Sequence, residues 1–294
     1  MSGETPGVVA VVAVVTAHDP DERLTALVDQ LRPHVAGVIV VDDGSTSRLD
    51  VIDALANRPG VRLIRQPNAG VAAALNAGVH AALADGADAV LTLDQDSGLP
   101  ATYVTRAVQA WQDAVSGRIP VAFVSAETYS GRRAPTRGTV HGFARAFDPM
   151  QSGSLVPAST YARVGCYDES LVIDAVDSDF TVRCLAAGLE PLVAPGCHLD
   201  HGMGDPTARR LFGRDLTYNH HSPNRVYYMA RNGTLLARRH ARSQPGWVLR
   251  RLAEEAKAHT LRLALDPERT QLARAAFAGL LDGLRGRTGP RRSS

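Results

Sequence analysis

Over roughly the first 95 positions, short β-branched apolar runs alternate with stretches in which apolar residues recur at helical spacing. Val8–Thr16 is apolar or small throughout, which predicts a strand buried on both faces rather than one with a wet side. Asp19-Pro20 breaks that run, and Leu24, Leu27, Val28 and Leu31 then mark one face of a helix that ends before Pro33. Val38–Val41 predicts a second buried strand, running directly into Asp42-Asp43-Gly44-Ser45. Ser47–Ala56 has helical spacing, Val61–Ile64 is a third strand, and Pro67-Asn68-Ala69-Gly70 opens an Ala-rich helix to about Ala84. Ala89–Leu93 is a fourth strand, ending in Asp94-Gln95-Asp96. Further on, residues 100–114 read as a helix and Val121–Ser125 as a strand. Arg132 to Phe147 reads as an irregular or hairpin region. A helix starts near Asp177 and stops at Ala187, with Gly188 supplying the left-handed cap. From Pro245 the chain is mostly helical, with Val248, Leu249, Leu252, Ala256, His259 and Leu263 as its apolar stripe. Gly286–Ser294 is expected to be a disordered tail.

Strand–helix repeats of this kind imply a parallel α/β sheet with right-handed crossovers. Ligands of such sheets bind beyond the carboxyl ends of the strands. Thr16, Asp42, Asp43, Asp94 and Asp96 all fall at those ends. Asp and Gly also build turns and helix caps. Two acidic clusters at two strand ends nevertheless favour a binding site over a pair of turns.

Composition narrows the possibilities. The 294 residues are 45% hydrophobic and 21% charged, so a packed core is expected rather than disorder. No run reaches the ~18 apolar residues a membrane span needs. Residues 1–7 lack the basic start of a secretory signal. Cys166, Cys184 and Cys197 form no CxxC pair, which fits a reducing, cytoplasmic setting. The formal charge of +2 is uneven: residues 231–294 carry 14 Lys and Arg against 5 Asp and Glu, whereas residues 1–230 carry 18 against 25. That asymmetry suggests a catalytic domain over 1–230 and a basic helical extension over 231–294 that meets a different partner, such as an anionic membrane surface. With 5% aromatics and no finger or sheet signature, nucleic acid is not the expected partner. A GxGxxG turn after the first strand, a phosphate-binding GxxxxGKS/T loop and a GxSxG elbow are all missing.

Four clusters are left as candidate chemistry. Asp94 and Asp96 are two carboxylates past the end of a buried strand, suited to a hard cation such as Mg²⁺ or Mn²⁺. Asp174, Asp177 and Asp179 crowd the start of a helix bearing Arg183, where mutual repulsion favours a general base; simple capping by acids is the competing explanation. Cys197, His198 and His201 hint at zinc but lack a fourth ligand, so a single histidine completing the Asp94–Asp96 site is the better reading. His220-His221 reads as surface. Arg225 and Arg231, beside Tyr227 and Tyr228, could grip phosphate oxygens or form a solvated basic turn.

Taken in order, these motifs resemble the family 2 glycosyltransferases of the GT-A fold. The match runs through Val40-Val41-Asp42-Asp43-Gly44-Ser45, Asn68-Ala69-Gly70, Asn76-Ala77-Gly78 and Leu93-Asp94-Gln95-Asp96-Ser97. It continues through Gln151–Leu155, Val164–Glu169, Ile173–Asp177 with Arg183, His201–Gly204 and Arg225–Asn232, covering about residues 8–235. The Asp-Gln-Asp-Ser form is similar to bacterial rhamnosyltransferases. The resemblance implies a GT-A (Rossmann-like), mostly parallel sheet flanked by helices, with a helical C-terminal extension. It also implies an inverting transfer of L-rhamnose from dTDP-rhamnose to a cell-envelope glycan or lipid-linked acceptor. UDP-galactofuranose or another UDP-sugar is the alternative donor, and a non-catalytic sugar-nucleotide-binding protein the alternative class. A nucleotidyltransferase would want a Gly-rich basic loop where Ala17-His18-Asp19-Pro20 stands. By the same resemblance Asp42 and Asp43, with Thr16, hold the nucleoside. Asn68, Gly70 and Asn76 shape the loop beside it, and Arg225 and Arg231 face phosphates. Asp94 and Asp96, with His201, hold the cation that clamps the donor diphosphate. Asp177 is the expected base, with Asp174 and Asp179 as alternatives; the family's usual Glu before it is Val176 here.

Overall fold

The computed structural model describes residues 9–200, 206–211 and 214–291. Strands β1 (Val11–Ala17), β2 (Gly37–Asp43), β3 (Val61–Gln66) and β4 (Ala89–Asp94) alternate with helices α1 (Glu22–Leu31), α2 (Leu49–Ala56) and α3 (Val71–Ala84). Helix α4 (Tyr103–Ser116) leads to β5 (Val121–Ser125), and short β6 (Thr128–Tyr129) and β7 (Arg132–Arg133) precede a hairpin of β8 (Thr136–Val140) and β9 (Phe143–Ala146). β10 (Ser154–Pro157), α5 (Ala158–Val164), α6 (Val176–Ala186), β11 (Glu190–Val193) and β12 (His198–Leu199) complete the sheet region. A hairpin of β13 (Pro206–Leu211) and β14 (Arg214–Asn219) then leads into α7 (Pro223–His240), α8 (Pro245–Leu265) and α9 (Arg269–Leu284).

Among the described residues the main sheet has the order β3-β2-β1-β4-β10-β5-β11-β9-β8. β1 pairs in parallel with both β2 and β4, as the strand–helix alternation predicts. Its side chains divide by the two-residue period of a strand. Val11, Ala13, Val15 and Ala17 join the core with Leu24, Leu27 and Val28 of α1 and Tyr103 and Val104 of α4. Val12 and Val14 pack instead with Leu75 and Val79 of α3. The register places Thr16 opposite Val41 and Asp94, and Ala17 opposite Asp42, so the polar ends of three strands emerge in one row. β10, which the sequence pattern did not announce, enters antiparallel between β4 and β5.

The C-terminal helices are fastened to this body. α7 runs unbroken across residue 230, the expected division between domain and extension. α9 lies close against α7 because Gly279 has no side chain: a Cβ there would strike the Tyr227 carbonyl oxygen. Of the six residues of the expected apolar stripe of α8, Val248 alone is buried. Trp247, Val248, Arg262 and Leu265 are buried, whereas Leu249 is 68% and Leu252 39% exposed. Trp247 donates its indole N–H to the Phe147 carbonyl at 2.8 Å. The tail also departs from expectation: Gly289 N donates to Ser170 O at 2.7 Å and Arg291 N to the Tyr228 hydroxyl at 2.7 Å, so the chain is seated through Arg291. Among the described residues no helix is long and apolar enough to cross a membrane.

Candidate active site

A cleft of about 520 Å³ opens beyond the carboxyl ends of β1, β2 and β4. Thr16, Asp43, Asn68, Gly70 and Asp94 line it, together with His18, Gln95, Asn224, Tyr228 and Pro290. Its floor is stitched by short polar contacts. His18 N donates to Gln95 Oε1 at 2.7 Å, and the His18 ring Nδ1 lies 3.1 Å from the Asp43 carbonyl. The Asp19 carboxylate accepts from Thr46 N at 2.8 Å and Ser47 N at 2.7 Å, contacts that hold its pKa below the ordinary carboxylate value.

The two neighbouring acids at the end of β2 have different duties. Asp43 accepts from Gln66 Nε2 at 2.8 Å and from the backbone N–H groups of Ala69 and Gly70, each at 2.9 Å. It thereby shapes the Asn68-Ala69-Gly70 loop as well as facing the cleft. Asp42 is buried, accepts from Ser45 N at 3.0 Å, and is not among the lining residues. Gly70 has φ +95°, and a Cβ there would lie 2.5 Å from the Val172 carbonyl oxygen, so only glycine closes this corner. Asn76 does not reach the cleft. It is buried, donates to Tyr167 O at 2.9 Å and Glu169 Oε1 at 2.8 Å, and accepts from Tyr167 N at 2.9 Å.

Asp94 presents its carboxylate to the cleft and accepts from Gln151 Nε2 at 2.6 Å, while its N–H donates to Ser152 Oγ at 3.2 Å. Asp96 stands two residues on, half-buried, and acts electrostatically on Arg23. Among the described residues no group of three His, Cys, Asp or Glu is arranged to hold a metal ion. Asp94 lines the cleft and Asp96 does not, but the chemistry of the pair fits a hard cation: their carboxylates would supply oxygens, with a diphosphate and water completing the shell. His201 lies outside the described residues. Zinc finds no support, because Cys197 is fully buried and His198 Nδ1 is 2.9 Å from Thr128 Oγ1. His220 is exposed, as expected of a surface residue, with Nδ1 2.7 Å from Asp266; His221 is partly buried and burial pushes it down to about 4, which corrects the surface reading for His221 alone.

Arg231 is not a phosphate ligand. It is 1% exposed, and its guanidinium donates to Leu171 O at 3.1 Å, to Asn232 Oδ1 at 2.9 Å and to the Gly289 carbonyl, with the Tyr228 ring 4.7 Å away. Asn232 donates to Ile173 O at 2.8 Å and Asp174 O at 2.9 Å. These two residues of α7 therefore clamp the loop that precedes α6. Arg231→Met is expected to cost about 3 kcal/mol or more, since each buried carbonyl left unsatisfied costs ~1–3 kcal/mol. Thermal unfolding should show that loss, and the salt dependence of binding a phosphate-bearing ligand in the cleft should not change. A flatter salt dependence at unaltered stability would restore the phosphate role.

The loop so held ends in left-handed backbone at Asp174 and Ala175, both at φ 61°. It delivers three carboxylates to three environments. Asp179 is turned away and buried, paired with Arg183 at 2.7 Å and near His240 at 3.5 Å, which removes it as a base. Asp174 pairs with Arg225, 48% exposed, at 3.1 Å. Burial pushes its pKa up, and Arg225 opposes the shift. Asp177 accepts from Ser178 N at 2.9 Å; burial pushes its pKa up too, and Arg251 opposes the shift. Asp174 and Asp177 line a second cavity of about 190 Å³ with Asp148, Ser178, Arg251 and Glu255. Ile173 lines the first cleft and Asp174 the second, so the two flank one stretch of chain. Asp148, Arg251, Glu255 and Pro290 carry no sequence signal of their place beside the site, whereas Tyr228 stands in a stretch already singled out. Only the Gln151–Leu155 and Arg225–Asn232 stretches signalled part of this surround.

The model of the family Glycosyl transferase family 2 matches residues 13–160. A dTDP-rhamnosyl transferase RfbF of Shigella flexneri is 27% identical over 94% of this chain and 96% of its own length. Among solved structures, residues 1–349 of TarS from S. aureus superpose with TM-score 0.57 at 15% identity, covering 93% of this chain and 80% of that one. The mannosyltransferase PcManGT from Pyrobaculum calidifontis, solved with GDP-Man and Mn²⁺, gives TM-score 0.57 at 15% identity, covering 95% and 88%. These two likenesses establish the GT-A architecture of the sheet and its helices.

Proposed function

The chain belongs to glycosyl transferase family 2, and we propose that within it the protein transfers L-rhamnose from dTDP-rhamnose to a glycan or lipid-linked acceptor of the cell envelope, with inversion. The observation that carries this reading is the juxtaposition of two cavities along one loop: a cleft bearing Thr16, Asp43 and Asp94, and an acidic chamber bearing Asp177. The rhamnosyl relative, similar over nearly its whole length, supports the choice of donor.

Asp43 and Thr16 hold the nucleoside end, with Asn68 and Gly70 forming the adjoining wall. Asp94 and Asp96 would hold a divalent cation, whose charge would offset that building on the departing diphosphate. Arg225, half exposed beside cleft-lining Asn224, stands where it can turn from Asp174 to a phosphate. Asp177 accepts the proton of the acceptor hydroxyl as that oxygen attacks the anomeric carbon and the bond to the diphosphate breaks. Nothing in this route needs a covalent protein nucleophile. The test is hydrolytic release of nucleoside diphosphate, with water in place of the acceptor hydroxyl, from a panel of nucleotide sugars with Mg²⁺ or Mn²⁺. Turnover of dTDP-L-rhamnose above the others is expected. Preference for UDP-galactofuranose or another UDP-sugar would move the donor, and no turnover of any would overturn the reading.

A peripheral contact with an anionic membrane belongs to the same proposal. Phe277, Leu280 and Leu284 of α9 are 62%, 42% and 53% exposed on one face, and Arg274 and Arg285 flank it. Each such arginine near an anionic leaflet contributes ~1 kcal/mol. Co-sedimentation with phosphatidylserine or phosphatidylglycerol vesicles should weaken in a Phe277→Ser, Leu280→Ser variant. Equal sedimentation of variant and parent would remove the membrane contact from the account.

A further inference from the structure

The acidic chamber is built partly by the C-terminal helices, which the fold of the sheet does not require. Arg251 reaches in from α8, and its side chain is only 15% exposed. Its Nε lies 3.0 Å from Asp148 Oδ2 and 3.0 Å from Ser178 Oγ, and its Nη1 pairs with Glu255 at 2.6 Å. Ser178 Oγ in turn donates to Asp148 Oδ2 at 3.1 Å. Ser178 follows Asp177 directly in the first turn of α6, and its N–H is the donor to the Asp177 carboxylate. One guanidinium is thus tied to the residue that orients the proposed base, and it lines the same cavity.

We propose that Arg251 is a positioning residue for Asp177, fixing the first turn of α6 through Ser178 and Asp148 and setting a buried positive charge beside the base. This rests on the reading of Asp177 as the base. The surround explains why a cation is needed there. Asp177 faces Asp148 from the loop after β9 and Asp174 from its own loop, with the phenols of Tyr129 and Tyr167 within its field; Glu255 from α8 lines the same cavity and acts on Asp148 and Asp174. Burial and these neighbours push Asp148 up to about 6, and one of its oxygens, Oδ1, is buried without a hydrogen-bond partner. Without Arg251, carboxylates this crowded would hold protons rather than accept them. Glu255 counterbalances Arg251 from the same helix, one turn on. It sits tightly against α7, since a Cβ on Gly233 would meet its carboxylate. The extension therefore completes the reaction chamber as well as covering the sheet.

The sign of the effect is fixed by charge. Removing the cation favours the neutral acid, so the acid limb of turnover moves to higher pH; removing Glu255 leaves Arg251 less neutralised and moves it lower. The experiment is the pH profile of hydrolytic nucleoside diphosphate release from dTDP-L-rhamnose by the full chain, water being the acceptor that yields its proton to Asp177, for Arg251→Gln, Arg251→Lys and Glu255→Gln. The expected result is an acid limb raised by about one unit in Arg251→Gln, because a buried partner charge shifts a carboxylate by ~1–3 units. Arg251→Lys should recover most of that shift, Glu255→Gln should move the limb downward, and the KM for the donor should be unchanged throughout. An acid limb that stays put in Arg251→Gln while activity or melting temperature falls would reduce Arg251 to a scaffold residue and overturn the proposal. A rise in donor KM with an unmoved limb would overturn it too. Should Arg251→Gln fail to fold, Glu255→Gln decides alone, and an unmoved limb there is the contrary result. If Asp177→Asn keeps full turnover, the base assignment falls first. If Asp177→Asn is inactive and the limbs do not move, only the role of Arg251 falls.

Discussion

Asp177→Asn is expected to lower turnover by about 10²–10⁴-fold, the usual contribution of a positioned general base. Asn keeps the size of the side chain and an oxygen to accept from Ser178 N, the contact the native carboxylate makes at 2.9 Å. It cannot take up a proton. The folded protein should not suffer. Burial raises the Asp177 pKa above its ordinary value, so the folded state binds that proton more tightly than the unfolded chain does. A raised carboxylate contributes stability at low pH that is lost as pH rises through its folded pKa. At neutral pH the charge is thus a burden, and Asp177→Asn should melt no lower than the parent. Capping of α6 by an acid predicts the opposite, a drop in melting temperature with turnover retained. The same raised pKa places the acid limb of the parent's turnover above the range of an ordinary aspartate. Kinetics and thermal unfolding of the one variant separate the two explanations.

Asp94→Asn is expected to act on the other half of the site. The amide retains an oxygen for Gln151, whose Nε2 donates to Asp94 at 2.6 Å. It loses the negative charge that a hard cation seeks. Charge neutralisation by a bound cation is worth several kcal/mol in the transition state, and each ~1.4 kcal/mol is tenfold. Turnover should fall by about 10²-fold or more, and added Mn²⁺ or Mg²⁺ should no longer strengthen donor binding. The expected pattern is complementary: Asp177→Asn binds donor without turning it over, whereas Asp94→Asn loses the cation's help in both steps. Thermal stabilisation by dTDP-L-rhamnose with and without cation reports the binding side of this contrast, because a ligand of the folded state raises stability by mass action.

The parts of this site that the sequence displays are those fixed by local physics. β1, β2 and β4 are buried on both faces and therefore appear as unbroken apolar runs, and the acids that end them must lie at the ligand-binding edge of a parallel sheet. β10 left no such mark, being four residues between Gly153 and the start of α5. Arg231 misled for a different reason. A guanidinium that grips phosphate and one that grips carbonyls are the same residue, and its partners Leu171 and Gly289 lie some sixty positions away on either side. Beyond Val248 the stripe on α8 misled because the inward face carries charge: Arg251 is largely enclosed against Asp148 and Glu255, and Arg262 is buried against Asn219 O at 3.2 Å. Ion pairs formed across more than a hundred residues, such as Asp148 with Arg251, have no periodicity to betray them.

The decisive property is binding of a nucleotide sugar in the cleft at the strand ends through Asp94 and a cation. Calorimetric titration of dTDP-L-rhamnose into the purified protein measures this, with Mn²⁺ present and after chelation by EDTA, for the parent, Asp94→Asn and Asp177→Asn. The predicted result is one-to-one binding in the parent and Asp177→Asn that depends on Mn²⁺, and no gain from Mn²⁺ in Asp94→Asn. Binding that is indifferent to the cation and to Asp94, or no binding of any dTDP- or UDP-sugar, would contradict it.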